Sequence, residues 1–298
     1  MIKPQLHTAT VIELANAFRT GRSTPSKQVK LLLERIDSTK TDNIFINVSV
    51  ERALAEANAA DRRFENGSPL SWLDGVPIVW KDVFDMAGMV TTAGSAVLSE
   101  GANALVDALG VQRLAASGMV SLGKVNTSEF AYSGLGLNPH FGTPRNPHDQ
   151  MTHRSPGGSS SGSGTAVAAG LAPCAIGTDT GGSVRVPASF NGIVGFKPTV
   201  GLIETTGMFT LSRSFDTVGT LAHTVEDCAL LFQALRGALE PQIKRLPLQE
   251  LELVSPRNIV TEDLEPAVAE NYERSIDVLC RQGVKVRREH VDALSEMI

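Results

Sequence analysis

Two serines in this chain each follow a pair of glycines, Gly157-Gly158-Ser159 and Gly181-Gly182-Ser183, and the serines lie 24 residues apart. Glycine lets backbone N–H groups approach a ligand closely and take up dihedrals that other residues resist. Gly181 and Gly182 could therefore turn a row of donors toward one point just ahead of the Ser183 hydroxyl, which is what stabilising an oxyanion requires. The alternative is that both stretches are flexible Gly/Ser loops. A linker would not enclose the apolar small-residue segment from Ala166 to Ile176. A hydroxyl nucleophile also needs a base. Lys81 stands at the end of the apolar run Val76 to Trp80, where a lysine would be buried, and buried lysines are rare. As a base it must lose its proton near neutral pH, which means lowering its pKa from about 10.4 by about three units, roughly 4 kcal/mol of differential solvation that burial can supply. The alternative, a strand-end lysine reaching solvent along its own stem, is what most such lysines do.

These groups need a scaffold to bring them together. Thr10 with Glu13 fits a capping box at the head of a helix whose apolar face is Val11, Leu14, Ala15 and Phe18. Thr24-Pro25 opens a second helix, with Val29, Leu32, Leu33 and Ile36 on one face. Phe45 to Val50 alternates as a short strand, and an Ala-rich helix from about Glu51 to Phe64 ends at Asn66-Gly67. A turn at Asp74-Gly75 leads into the strand that ends at Lys81. The spacing of Leu105, Leu109, Val111 and Leu114 predicts a helix over 103–117, followed by a strand from Val120 to Leu122. Further on, helices are expected over 225–235 and 266–282, and strands over 251–254 and 284–288. The stretch from Ser128 to Arg145 mixes glycines with Phe130, Tyr132 and Phe141. It reads equally as a pocket-lining loop and as an ordinary connection.

Composition bounds the rest. The 298 residues are 42% hydrophobic with a net charge of −5, enough for a substantial core and without the basic run that a nucleic-acid ligand would call for. Cys174, Cys228 and Cys280 are far apart and odd in number, the pattern of reduced thiols in a cytoplasmic protein. The opening residues lack a charged region followed by an apolar one, and no apolar run could span a bilayer. The six histidines show no metal-ligand spacing, so neither a metal nor a cofactor is expected. Ser121-Leu122-Gly123-Lys124 matches an S-x-x-K pattern, but the S-D-N and K-T-G sequences that accompany it elsewhere are missing. It reads as chance.

Taken together, Gly75-Val76-Pro77-Ile78-Val79-Trp80-Lys81-Asp82, the serine-glycine run 157–164 and the run from Gly177 to Ala188 resemble the amidase signature family, as does the interval between the two serines. Gly192 to Thr199 and Asp216-Thr217-Val218-Gly219 extend the likeness. The resemblance implies an α/β fold with a central mixed β-sheet covered by helices, in one domain over 1–298: a helical part at 1–70, a catalytic core at 71–225 and an incomplete part at 226–298. Members usually continue further, so the chain reads as shortened at its C-terminus. The resemblance further implies a Ser-Ser-Lys triad, with Ser183 as nucleophile, Ser159 as bridging serine after a cis peptide bond, and Lys81 as base. The N–H groups of Thr180, Gly181, Gly182 and Ser183 would form the oxyanion hole. The implied reaction cleaves a linear carboxylic amide through an acyl-serine. Asp179 and Arg185 flank the nucleophile and are expected to hold its loop, a substrate contact from Arg185 being the other reading. Phe130 and Tyr132 are candidate substrate contacts.

Other readings stand beside this one. A glutaminase acting as the A-subunit of an amidotransferase, together with partner subunits, would share the triad. A shortened, inactive homologue would survive as a binding protein. Gly158-Ser159-Ser160-Ser161-Gly162 also matches the G-x-S-x-G nucleophile elbow, although the polar stretch His148 to Pro156 is a poor strand to precede it. The expected ligand is a small-molecule amide rather than nucleic acid or membrane, with a homodimer as a candidate assembly.

Overall fold

The computed structural model describes residues 9–39, 42–149, 151–238 and 246–296. His7 and most of the opening stretch assessed for a leader lie outside them. Where the sequence reading has one domain whose last part begins at 226, the chain divides into two compact units, Met1–Gln242 and Ile243–Ile298.

In the first unit α1 (Val11–Arg19) carries the expected capping box, Thr10 accepting from the Glu13 N–H while the Glu13 side chain accepts from Thr10. It is followed by α2 (Pro25–Ser38), β1 (Phe45–Val48), α3 (Val50–Glu65), β2 (Pro77–Lys81), α4 (Ala96–Ser99), α5 (Leu109–Ala116) and β3 (Val120–Val125). Next come α6 (Ser161–Ala168), β4 (Cys174–Asp179), α7 (Arg185–Phe190), β5 (Val194–Phe196), β6 (Thr217–Ala222) and α8 (Val225–Leu235). Six strands form one sheet in the order β1-β3-β2-β4-β6-β5. β2 is parallel to both β3 and β4, whereas β1 pairs antiparallel with β3, and β6 antiparallel with β4 and β5. The sheet is mixed, as expected.

Strands buried on both faces read as near-continuous apolar runs, and β2, β3 and β4 are fully buried along their length. Successive side chains then serve opposite layers. Ile78 and Trp80 pack with residues of α1, α5 and α8, while Val79 packs with residues of α2, α3 and α6. The sheet is therefore sandwiched between two helical layers, with the site at one end of its strands.

The helix predicted over 103–117 begins only at Leu109. Residues 104–107 are drawn instead onto the 87–89 turn: Gly88 N–H donates to the Ala104 carbonyl, Ala104 N–H to that of Met89, and Asp107 takes both Ala87 N–H and Arg52. Leu105 is 94% exposed and has no part in the buried face.

The second unit pairs β7 (Glu252–Pro256) with β8 (Lys285–Glu289) in parallel through the crossover helix α9 (Pro266–Arg281), and ends in α10 (Asp292–Ser295). Among the described residues no helix is long and apolar enough to cross a membrane.

Candidate active site

The parallel pairing of β2 with β4, in register at Trp80 and Ile176, brings the C-terminal ends of these strands side by side. That is where open α/β sheets build their sites. Lys81 is the last residue of β2 and Asp179 the last of β4, with Ser183 in the loop that follows. Ser159 and Ser160 precede α6, whose small residues Ser161 to Val167 are buried between neighbours. Ser160 fixes this turn: its hydroxyl accepts from Thr178 N–H at 3.3 Å and donates to the Thr178 carbonyl at 3.2 Å. A Cβ on Gly177 would sit 2.6 Å from Ser160 Oγ, so only glycine allows that approach. The Gly158–Ser159 peptide is cis, the geometry that the resemblance implies. The carbonyl of Ser159 accepts from Ser128 N–H at 3.1 Å, and Gly158 N–H donates to the Gly134 carbonyl at 2.7 Å. The 128–134 loop thus braces the Ser159 turn.

Lys81 is fully buried. Its Nζ donates to Ser159 Oγ at 2.7 Å and to Thr178 Oγ1 at 2.7 Å, and among the described residues it forms no ion pair. Burial pushes the ammonium down to about 7, against the more distant pull of Asp216 and Asp179. A lysine with two hydroxyl partners and no carboxylate in contact can exist as a neutral amine at physiological pH. Thr178 is a residue that sequence reasoning misses; it stands in the Gly177-Thr178-Asp179-Thr180 run, but its type alone does not separate a lysine partner from a strand residue.

Asp179 organises the loop around Ser183. Its carboxylate accepts from the N–H groups of Gly182 at 2.8 Å, Val184 at 3.1 Å and Arg185 at 3.3 Å, and from the Arg185 guanidinium at 3.0 and 2.9 Å. Burial alone would raise its pKa, but the Arg185 and backbone donors outweigh it and hold the carboxyl below its usual value. Arg185 thus pairs with the carboxylate that gathers the N–H groups of this loop. Of the four N–H groups expected to face an oxyanion, that of Gly182 is the one that donates to Asp179. Thr180, Gly181 and Ser183 have no backbone N–H bond among the described residues. The Thr180 hydroxyl donates to Asp216 at 2.6 Å, tying this loop to the segment before β6.

The serines are brought together through the main chain. Ser160 N–H donates to the Ser183 carbonyl at 3.2 Å, while among the described residues no hydrogen bond joins the Ser183 hydroxyl to that of Ser159. Ser160 itself is fully buried and engaged by Thr178. Residues 151–160 form no strand, so the elbow alternative lacks both an exposed hydroxyl and its strand context. Phe130 stacks on Phe209 with ring centroids 5.8 Å apart, so an apolar wall stands beside the braced loop. Tyr132 is 79% exposed and makes no ring contact among the described residues.

A buried ion pair adjoins the site. Lys124 and Asp82, both fully buried, meet at 2.6 Å, and each is a charged residue at the end of a buried strand. That pattern is a signal in the sequence, since a charge set in an apolar run needs a buried partner.

A family model described as Amidase matches residues 27–298. The A-subunit of glutamyl-tRNA(Gln) amidotransferase from Cupriavidus necator is 49% identical over 225 residues, covering 76% of this chain and 44% of the relative. A crystal structure described as an amidase is 34% identical with a TM-score of 0.86, covering 95% of this chain and 63% of that one. The native peptide amidase from Stenotrophomonas maltophilia is 33% identical with a TM-score of 0.83, covering 95% and 62% respectively. The chain spans less than half the length of the curated relative that it matches. On its motifs, its sheet and these matches, the chain belongs to the amidase signature family.

Proposed function

We propose that this chain cleaves carboxylic amides at Ser183, with Ser159 relaying the proton to Lys81. The observation that carries the reading is the buried contact between Lys81 and Ser159 at 2.7 Å, made by a lysine with no carboxylate partner among the described residues. Neutral Lys81 takes the Ser159 proton as Ser159 takes that of Ser183, whose side chain turns toward Ser159 when substrate is bound; such contacts often tighten only in the complex. Ser183 Oγ then attacks the amide carbonyl. The oxyanion is received by the N–H groups of Thr180, Gly181 and Ser183, which have no other partner among the described residues. The Lys81 ammonium returns its proton through Ser159 to the leaving nitrogen, releasing ammonia or an amine and leaving an acyl-Ser183 ester. Water, activated by the same relay, hydrolyses the ester. The test is a fluorophosphonate probe followed by peptide mass spectrometry, with ammonia release from a panel of amides. Label on Ser183 is expected, and label elsewhere or none on folded protein overturns the reading.

The 49% identity to the A-subunit of an amidotransferase favours a second reading, in which the amide is glutamine and the ammonia passes to a partner protein. Glutaminase activity that appears only on adding partner subunits selects it over a self-sufficient amidase.

A further inference from the structure

Two lysines are buried near the end of β2, and their surroundings differ in a way that divides their chemistry. Lys81 has two hydroxyl partners. Lys124 donates to the Val90 carbonyl and to Thr91 Oγ1, each at 2.9 Å, and forms an ion pair with Asp82 Oδ1 at 2.6 Å. Burial lowers the Lys124 pKa and raises that of Asp82, and the attraction between the two opposes both shifts, so each group depends on the other to stay charged. The other oxygen of Asp82 accepts from Thr92 N–H at 3.1 Å and from the Thr92 hydroxyl.

The pair reaches the site by two routes. Asp82 follows Lys81 directly in the chain, and its own N–H is fixed to the Val125 carbonyl at 2.9 Å. Its carbonyl accepts from Ala93 N–H at 2.9 Å, and the Ala93 carbonyl accepts from Phe130 N–H at 2.8 Å. Phe130 belongs to the loop in which Ser128 holds the carbonyl of Ser159. Ala93, Phe130 and Ala131 all have left-handed backbones, with φ of 48°, 52° and 58°, which non-glycine residues keep only where surrounding contacts enforce it. A turn and a loop in such conformations need an anchor, and the Lys124–Asp82 pair supplies one.

We propose that Lys124 is a positioning residue for the amide-cleaving site: its ion pair compensates the carboxylate of the residue after Lys81, and the bonds that the pair makes to Val90, Thr91, Thr92 and Ala93 fix the 90–93 turn that supports the Ser159 loop. This rests on the functional reading above. The charged groups acting on Lys81 are Asp216 ahead of β6 and Asp179 on β4; those acting on Lys124 are Asp82, the residue after Lys81 in the chain, and Asp85. Without Lys124, the Asp82 carboxylate is an uncompensated buried charge one residue along the chain from the candidate base.

The experiment measures the rate of fluorophosphonate labelling of Ser183 against pH in the parent, in Lys124→Met, and in the double variant Asp82→Asn with Lys124→Met, each checked for fold by near-ultraviolet circular dichroism. Lys124→Met is expected to lower the maximal rate by at least ~10-fold, as misplacement of reacting groups does, and to raise the pH midpoint by on the order of one unit, because a lone carboxylate favours the charged amine. The double variant removes both buried charges, so it is expected to fold and return the midpoint to the parent's while its maximal rate stays low. Folded Lys124→Met with the parent's rate and midpoint overturns the inference alone. A rate loss that follows lost circular dichroism, with the parent's midpoint in both variants, also overturns it by reducing the pair to a fold support. A folded parent left unlabelled at Ser183 removes the hydrolase reading and this inference with it.

Discussion

Lys81 Nζ lies 2.7 Å from Ser159 Oγ although 78 residues separate the two in the chain. The contact is fully buried, and burial brings the lysine down to about 7. Base catalysis through this contact requires the neutral amine. Amide cleavage is therefore expected to rise with pH through about 7 and level off above it, measured as kcat/KM across the range. Lys81→Met is expected to lower that rate by at least ~10³-fold; an unchanged acid limb in the variant would sink the assignment.

The same burial couples Lys81 to stability. Its folded pKa of about 7 lies below the ~10.4 of an unfolded chain, so between those values the unfolded chain holds a proton that the native protein has released. Stability from this group rises with pH through that window, and the penalty is complete below pH 7. On going from pH 10 to pH 6, Lys81→Met is expected to gain on the parent by on the order of 4 kcal/mol in urea unfolding. A difference that does not vary with pH would show that the native lysine titrates normally.

The roles proposed for Ser183 and Ser159 can be separated by substitution. Ser183→Ala is expected to abolish both amide cleavage and fluorophosphonate labelling with the fold intact. Ser159→Ala keeps the nucleophile but cuts the relay, so slow labelling of Ser183 is expected to survive, reduced by ~10²–10⁴-fold. Equal labelling of Ser159→Ala and the parent would remove Ser159 from the mechanism.

Thr178 is the second hydroxyl on Lys81, at 2.7 Å. Thr178→Val keeps the shape and deletes that partner, leaving Lys81 free to swing away from Ser159. We expect kcat to fall by ~10-fold or more, with KM little changed, since the loss falls on the chemical step. A rise in KM alone would assign Thr178 to substrate binding instead.

Asp179 holds Gly182, Val184 and Arg185 at once. Asp179→Ala strands these donors and is expected to destabilise the protein by ~1–3 kcal/mol and to abolish labelling of Ser183. Arg185→Ala removes only the half-exposed partner and is expected to retain part of the activity. If Arg185→Ala proves the more damaging of the two, Arg185 acts on substrate rather than on the loop.

Much of this protein was legible in its residues. The glycine pairs singled out Ser159 and Ser183, the apolar run singled out Lys81, and the family resemblance joined the three; local chemistry sufficed for the capped α1, the proline-led α2 and the strand that ends at Lys81, because caps and apolar periodicity act within a few residues. What the sequence could not decide was anything set by contacts between distant segments. The start of α5 was moved by bonds from the 104–107 stretch to the 87–89 turn. The Gly182 N–H went to a carboxylate three residues earlier, whose direction depends on the loop as folded. Thr178 joined Lys81 only because β2 and β4 run parallel and end together. Lys124, which read as half of a chance motif, found Asp82 because burial leaves a charge no partner except another buried one. Residue type and spacing determined which groups could do the chemistry; the packing of the sheet decided which of them meet and which are occupied elsewhere.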